Sequence, residues 1–245
     1  LPELSSNWKD INIHHLLTHQ SGIPDWINDI DFYSWPDYVD NNDVLTYFTQ
    51  HEELHFQPGS DAQYSNSGYI LLAEVVSRVS GLSFADYMRI NIFQPAGMLN
   101  SYINDNTSIA KNDTALNYAE FPTQFERHLF VNGPSGMVSS ANDLQKFVTA
   151  YLNGSIIGSS SIRLMLTHHT VQMEEVGNLN YGYGAVLAPS STNQFFHGGG
   201  LDGFQTDILI DITSESSIIF LSNGGNATAH QSIVKGLVSS FFASQ

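Results

Sequence analysis

The chain has 245 residues, of which 42% are hydrophobic, enough to form the core of one large domain or two small ones. Its 8 basic and 24 acidic residues give a formal net charge of −16, which would repel nucleic acid and anionic membranes, so we set both aside as partners. There is no cysteine, which excludes disulfides, thiolate metal sites and a cysteine nucleophile.

The sequence shows no membrane or export segment. No apolar run reaches the roughly 20 residues of a membrane-spanning helix. The first residues, Leu1 to Leu4, lack the basic region and apolar stretch of a signal peptide, and they include no initiator methionine. We therefore expect the chain to begin inside a longer product.

The first two-thirds of the chain has the apolar spacing of helices. After Asn66, apolar residues recur at helical intervals as far as Val79, and Gly81 follows as a stop signal. Asn12 is a predicted N-cap for a helix through His19. Further helices are predicted after Asn42–Asp43, from Ser83 to about Ile92, after Ser140 and over residues 159–168.

The last third changes to short apolar or alternating runs that are separated by turn residues, a pattern typical of antiparallel strands. Strands are predicted at Tyr181–Leu187, Gln194–His197, Gly203–Ile210 and Ser216–Ser222, with Gly198–Gly203 as a connection and an apolar helix at the end of the chain. No repeat or linker divides the sequence. It therefore predicts a single α+β domain over 1–245, mostly helical over about 1–170 and stranded over about 175–245.

Two polar motifs far apart in the chain carry candidate chemistry. They are Tyr64-Ser65-Asn66 and His197-Gly198-Gly199-Gly200. Alone, the first is typical of a turn and the second of a strand end. A phenol with a pKa near ~10 acts as a base at neutral pH only where nearby cations favour the phenolate. Glycines after the histidine would leave a bare strand edge that a substrate can approach.

These motifs and further blocks resemble the serine β-lactamase and penicillin-binding-protein-like hydrolases, which include class C β-lactamases, D,D-peptidases and esterases. The blocks lie at residues 11–24, 58–69, 93–98, 136–144, 181–184, 197–199 and 222–223. A single short match would be weak, but ordered blocks over nearly the whole chain make chance a poor explanation. The resemblance implies an antiparallel sheet flanked by helices, beside a helical subdomain, with the active site in the cleft between them.

The resemblance also implies roles for the two motifs. Tyr64 would take the proton of a serine nucleophile and later return it to the leaving group. Asn66 would bind the substrate amide or a lysine, and His197 would hold a substrate carboxylate or relay a proton to Tyr64. The Gly200 amide would form half of an oxyanion hole. The residues expected to line the substrate are Ser65, Gly198 and Gly199.

The substrate class follows from the same resemblance. We expect a small amide or ester, such as a D-amino-acid peptide or a β-lactam, and no cofactor or metal. A periplasmic or secreted location fits such a substrate. A catalytically silent relative, which binds ligands or regulates without reacting, is the alternative.

The family's nucleophile is the serine of a Ser-x-x-Lys motif on a buried helix. Ser6-Asn7-Trp8-Lys9 fits the letters, but its neighbours are poor helix formers and no apolar run surrounds it. It also precedes Leu16 by only ten residues, whereas the family's serine precedes that block by several tens. We therefore expect the nucleophile, the first strands and the serine helix to come from a complementing N-terminal segment, without which the chain would be inactive.

A zinc hydrolase is a second alternative. His51-Glu52-Glu53-Leu54-His55 fits the His-Glu-x-x-His pattern, in which two histidines on one helical face bind the metal and the glutamate acts as base. Pro58-Gly59 would break that helix three residues after His55, which counts against it. The remaining polar candidates, His15, His19, Ser21 and Asn223, we interpret as structural.

Overall fold

The computed structural model describes residues 1–30, 35, 38–105, 114–115, 128–173, 179–188, 191–201, 203–224 and 227–243. A largely helical part comes first and an antiparallel sheet follows. The predicted α+β class is therefore confirmed.

Helices dominate the first part of the chain. They are α1 (Ile13–Leu17), α2 (Asn41–Gln50), α3 (Asn66–Ser80), α4 (Phe84–Met88), α5 (Gln94–Ala96), α6 (Ala141–Leu152) and α7 (Ser159–Met165), with a 3-10 turn at Ser6–Trp8 and a π-helical turn at Arg89–Phe93. Two small sheets lie among them. β1 (Tyr38–Asp40) pairs in parallel with β3 (His128–Phe130), and β2 (Tyr102–Ile103) pairs antiparallel with β4 (Met137–Val138).

The second part is a six-stranded antiparallel sheet in the order β10-β9-β8-β7-β6-β5. Its strands are β5 (Thr170–Met173), β6 (Leu179–Tyr181), β7 (Val186–Ala188), β8 (Ser191–Leu201), β9 (Phe204–Asp211) and β10 (Ser216–Ser222). Helix α8 (Ala227–Ala243) closes the described chain. Among the described residues no single helix is long and apolar enough to span a membrane. Helix α3 and the segment Phe84–Ala96 together meet those length and apolarity criteria, but the pair is bent by 78°.

Several helix ends follow the predicted capping residues. The side chain of Asn12 accepts a hydrogen bond from the His15 amide, and Ser83 and Ser140 cap α4 and α6 in the same way. Gly81 ends α3 with a left-handed φ of 70°. The cap of α2 differs from the prediction at Asn42–Asp43. It is Asp40, which forms a reciprocal capping box with Asp43.

The first helix is shorter than the predicted span through His19. It ends at Leu17, because His19 takes a left-handed backbone with φ 58° that cannot continue a helix. The helix predicted over 159–168 likewise ends at Met165. The one predicted from Ser83 to Ile92 instead continues through a π-helical turn to Ala96.

Two strand predictions are also wrong in detail. Residues 181–187 form two strands, because the chain turns between Tyr181 and Val186 with Gly184 at φ 70°. Gly198–Gly203 is not a loop. The glycines continue β8 as far as Leu201, which pairs with Phe204 of β9. Glycine weakens a strand, but here the ladder to β9 sustains it.

The two faces of the sheet carry different helices. His197 pairs with Ile208 and Gly198 pairs with Asp207, so these two pairs point to opposite faces. On the face of Asp207, His230 of α8 lies with its Nε2 2.6 Å from the Asp207 carboxylate. On the other face, Phe195 packs with apolar residues of α6 and α7. Helix α8 therefore covers the face away from His197.

Candidate active site

His19 lies directly against Tyr64, with ring centroids 4.2 Å apart. The Ser65 amide donates to its Nδ1 at 3.1 Å, and the Gln63 amide donates to its backbone carbonyl at 3.0 Å. The neutral ring therefore carries its proton on Nε2, which is buried and has no partner among the described residues. Burial, and next the charge of His197, lower the pKa of His19 to about 3. The ring is thus a neutral support for the Tyr64 loop.

Asp25 holds the side chain of Asn66. Asn66 Nδ2 donates to the Asp25 carboxylate at 3.0 Å, and Asn28 Nδ2 donates to it at 2.6 Å. Asp25 is only 2% exposed, and this burial raises its pKa despite the hydrogen bonds it accepts. One N–H and the Oδ1 of Asn66 remain for other partners.

Ser67 ties the same segments together a second time. Its hydroxyl donates to the Pro24 carbonyl at 2.7 Å and accepts from the Trp26 amide at 2.9 Å. We call residues 18–26 the clamp, because its atoms fix Gln63, Ser65, Asn66 and Ser67 on both sides of Tyr64. The position of Tyr64 is therefore set by contacts between segments about forty residues apart in sequence.

Tyr64 itself is partly buried, and no residue in the described part of the chain hydrogen-bonds its hydroxyl. Burial raises the pKa of Tyr64 to about 12, and the charge of Asp25 contributes in the same direction. The surroundings in this structure thus oppose the phenolate. A cation beside the hydroxyl is what would reverse that balance.

His197 lies on β8 with both ring nitrogens engaged. Its Nδ1 is 2.7 Å from the Gly198 carbonyl and its Nε2 is 3.0 Å from the Tyr181 hydroxyl. Because a carbonyl only accepts, Nδ1 carries the proton and Tyr181 donates to Nε2. Burial lowers the pKa of His197, although Gly198 and Asp207 act in the opposite direction. The ring is therefore neutral and fixed in one tautomer.

The structure brings the two sequence motifs together. The ring centroids of Tyr64 and His197 are 6.4 Å apart. Tyr181 stands edge-on to both rings, at 6.5 Å from Tyr64 and 6.1 Å from His197. A phenol just before α3 and a histidine from β8 thus lie close together, although more than a hundred residues separate them in sequence.

The glycines after His197 form an open edge. β8 pairs with β9 as far as Leu201, but its described pairing with β7 ends at Phe196. Gly198, Gly199 and Gly200 are exposed. A Cβ at Gly200 would lie 2.7 Å from the Gln205 side chain, and one at Gly198 would lie 2.6 Å from that of Asp207. The backbone of this edge is open to an extended ligand, as the sequence suggested, while the oxyanion role of the Gly200 amide stays a prediction.

Ser65, which the sequence predicts to line the substrate, is buried in this structure. It is only 2% exposed, and its hydroxyl has no hydrogen-bond partner among the described residues. Its contribution in this structure is the amide that binds His19. A direct contact with substrate stays a prediction.

No Ser-x-x-Lys match in the described residues lies beside Tyr64 and His197. Ser6 and Lys9 are exposed beside a single 3-10 turn. Sequence reasoning overlooked two further matches. Ser232-Ile233-Val234-Lys235 lies on α8, which covers the sheet face away from His197, and Ser108-Ile109-Ala110-Lys111 lies outside the described residues.

The zinc-like motif does not form the helix that such a site needs. α2 ends at Gln50, and His51 follows it with its ring stacked on Tyr47 at 3.8 Å. His55 Nδ1 instead contacts Gln63 Oε1 at 2.7 Å. The described residues contain no group of three or more His, Asp or Glu placed to hold a metal ion.

Comparison with known proteins settles the family. The Beta-lactamase family profile matches residues 1–234. The chain belongs to the Beta-lactamase family. It is 28% identical over 249 residues to a penicillin-binding protein of Bacillus subtilis (strain 168), covering 93% of this chain and 54% of that protein. It is 26% identical over 223 residues to protein flp of Staphylococcus aureus (strain MRSA252), covering 87% and 43%. The chain thus spans about half the length of these curated relatives.

Solved structures agree with this membership. The penicillin-binding protein from Bacillus halodurans superimposes with a TM-score of 0.81 at 27% identity, covering 96% of this chain and 76% of that one. D-amino acid amidase from Ochrobactrum anthropi SV3, complexed with D-phenylalanine, gives a TM-score of 0.72 at 22% identity, covering 89% and 73%. The second likeness shows the fold alone. The predicted β-lactamase-like fold is confirmed.

Sequence reasoning missed three residues beside the site. Asp25 and Tyr181 were given no role, although each lies in or next to a block that resembles the family. His19 was interpreted as a core or capping histidine, which its 1% exposure supports, but its contact with Tyr64 was not foreseen. His19 ends a predicted helix and Tyr181 begins a predicted strand, so no local pattern in the sequence marked their contacts.

Proposed function

We propose that this chain supplies the base, the histidine and the substrate-binding edge of a serine acyl-hydrolase. The observation that carries the proposal is the meeting of Tyr64 and His197 beside the open edge of β8. Membership of the Beta-lactamase family adds support. Three features suit the transfer of an acyl group. The Tyr64 hydroxyl has no hydrogen-bond partner among the described residues, Asp25 holds the Asn66 side chain, and the glycine edge of β8 is exposed.

The reaction follows from the groups present. A serine Oγ attacks the substrate carbonyl carbon, and its proton passes to the oxygen of Tyr64. When the carbonyl reforms, the bond to the leaving amine or alcohol breaks and Tyr64 returns the proton to it. Water then hydrolyses the acyl-enzyme. Asn66 positions the substrate amide, and the Gly200 amide stabilises the oxyanion.

The serine comes from a Ser-x-x-Lys segment outside these residues. The raised pKa of Tyr64, about 12, makes it a poor base in its present surroundings. The lysine ammonium of such a segment would lower that pKa and allow the phenolate to act. One segment would therefore supply both the serine nucleophile and the cation that Tyr64 needs.

The substrate is a small amide or ester, in the D-peptidase or esterase branch of the family rather than among true β-lactamases. His197 stands where those β-lactamases carry lysine, and one structural relative is a D-amino acid amidase. A periplasmic or secreted location belongs to the same proposal.

The test is covalent labelling of the protein expressed from its complete reading frame. A fluorophosphonate, which carries no carboxylate, should add to one serine, and peptide mass mapping should place that serine in a Ser-x-x-Lys motif beyond this chain. The Tyr64→Phe variant should label slowly, while Tyr151→Phe, at a buried hydroxyl without a partner among the described residues, should label at the normal rate. Reversible β-lactam binding without an adduct would instead support a catalytically silent binding protein.

A further inference from the structure

His197 is the one candidate anchor for a substrate carboxylate in the predicted site, and its hydrogen bonds conflict with that task. A carboxylate needs a donor, preferably a charged one. Nδ1–H is already donated to the Gly198 carbonyl at 2.7 Å, and Nε2 accepts from Tyr181 at 3.0 Å. The ring therefore offers a carboxylate neither a free N–H nor a positive charge.

Other cations do not replace it in the described part of the chain. Arg78 pairs with Glu3 and Glu74, Arg89 with Asp86, and Lys146 with Asp143. No described Lys or Arg makes an ion pair or hydrogen bond with Tyr64, Asn66 or His197. The nearest described charge has the opposite sign, because Asp25 lies behind Asn66 and the chain carries a net charge of −16. The lysine proposed to come with the serine would be paired with the Tyr64 phenolate and would not serve a substrate carboxylate.

We infer that the site takes esters and amides that carry no carboxylate beside the scissile bond, and that Tyr181 enforces this preference by holding His197 neutral. The inference rests on the proposed acyl-hydrolase function and narrows its substrate class. Tyr181 acts through His197 and is therefore a positioning residue. Its own pKa is raised well above the usual value by burial, so its hydroxyl stays a donor.

A matched pair of esters tests the preference in the protein expressed from its complete reading frame. The probes are the phenyl ester and the 3-carboxyphenyl ester of N-acetylglycine, which differ by one carboxylate on the leaving group. We expect kcat/KM for the phenyl ester to be about tenfold higher or more, because the carboxylate would lose hydration in the site without gaining a donor or a cation. Equal rates, or faster cleavage of the carboxylate ester, would overturn the inference.

Tyr181→Phe tests the positioning role, because it removes one oxygen and keeps the ring. Nε2 of His197 then loses its donor and can take a proton that faces the substrate. The preference for the phenyl ester should shrink several-fold, and the ring-nitrogen NMR shifts of His197 should no longer show a single Nδ1–H tautomer. Tyr151→Phe, on α6, should leave the ester ratio and the NMR signals unchanged. An unchanged ratio in a folded Tyr181→Phe variant would contradict the role given to Tyr181.

The failure of this inference is distinguishable from that of the proposed function. If neither ester is cleaved and no serine adduct forms, the acyl-hydrolase proposal and this inference both fail. If a serine adduct forms but the carboxylate ester is preferred, only this inference fails. The wild-type ester ratio decides the question even if the Tyr181→Phe variant does not fold.

Discussion

The two halves of the candidate site are built in different ways. Around Tyr64, the clamp of residues 18–26 accepts a hydrogen bond from each of Ser65, Asn66 and Ser67. Around His197, the strand is paired on one side only, and its three glycines are exposed. The fold thus holds the Tyr64 half of the site in place before any ligand binds, whereas the His197 half is an open strand edge to which a ligand can add. Changes in the clamp should therefore affect stability, and changes at the edge should affect substrates.

The largest expected effect belongs to the hydroxyl of Tyr64. Tyr64→Phe should lower kcat/KM about 10²- to 10⁴-fold, the usual contribution of a positioned acid–base group. Its stability should change little, because that hydroxyl bonds no described residue. Ester hydrolysis and urea unfolding of the protein expressed from its complete reading frame measure both. A near-normal rate would show that Tyr64 is not the base and that the clamp does not position a catalytic group.

The rigidity of the clamp is tested at Gly22, which has φ 75° and whose added Cβ would lie 2.2 Å from the Phe56 carbonyl oxygen. Because neither backbone can shift freely, Gly22→Ala should destabilise the protein by roughly 3 kcal/mol or more. Gly81→Ala is the matched control, since Gly81 has φ 70° with nothing within 4 Å of its Cβ. It should cost only about 1 kcal/mol, the strain of a left-handed alanine. Equal losses would show that the clamp tolerates movement.

The buried His19 should make stability depend on pH. Its folded pKa of about 3 lies below the unfolded value near ~6.5, so between those values the unfolded chain binds one more proton. Stability is then fully present above about pH 6.5 and falls by about 1.4 kcal/mol per pH unit as the pH drops towards 3.

His19→Asn isolates this contribution, because asparagine tolerates the left-handed backbone and keeps an acceptor for the Ser65 amide. Urea unfolding at about pH 7.5 and about pH 5 should show a pH-dependent loss roughly 2 kcal/mol smaller in the variant. Parallel losses in wild type and variant would mean that His19 is not buried as a neutral ring.

The smallest effect on stability is expected at the open edge. A Cβ at Gly199 would meet only the Thr206 hydroxyl, at 3.4 Å, so Gly199→Ala should change unfolding by less than about 0.5 kcal/mol. If substrate lies against this strand, the same methyl group should raise KM several-fold. A raised KM with unchanged stability supports the contrast between the two halves, and an unchanged KM would place the substrate elsewhere.

Local chemistry made much of the fold predictable. Asn12, Ser83 and Ser140 cap helices as expected, Gly81 ends α3, and β10 has the predicted bounds. These signals depend on residues a few positions apart. The error at His19 arises because a distant partner, the Ser65 amide, sustains a left-handed histidine. The error at Gly198–Gly203 arises because the ladder to β9 sustains a strand of glycines, which are usually weak strand formers.

The same reasoning explains what was missed in the site. Tyr64 and His197 stood out because ordered motifs resemble a known family. Asp25 and Tyr181 act through hydrogen bonds to residues far away in sequence, Asn66 and His197 respectively. No periodicity or spacing records such contacts, so only coordinates could assign them.

The central claim is that Tyr64 and His197 flank one reacting carbonyl. A crystal structure of the protein expressed from its complete reading frame, with a fluorophosphonate adduct trapped on its serine, tests this most directly. The account predicts that the adduct lies between the Tyr64 hydroxyl and the edge Gly198–Gly200, with the serine beside Tyr64. An adduct on Ser6, Ser108 or Ser232, or one from which Tyr64 and His197 both point away, would contradict it.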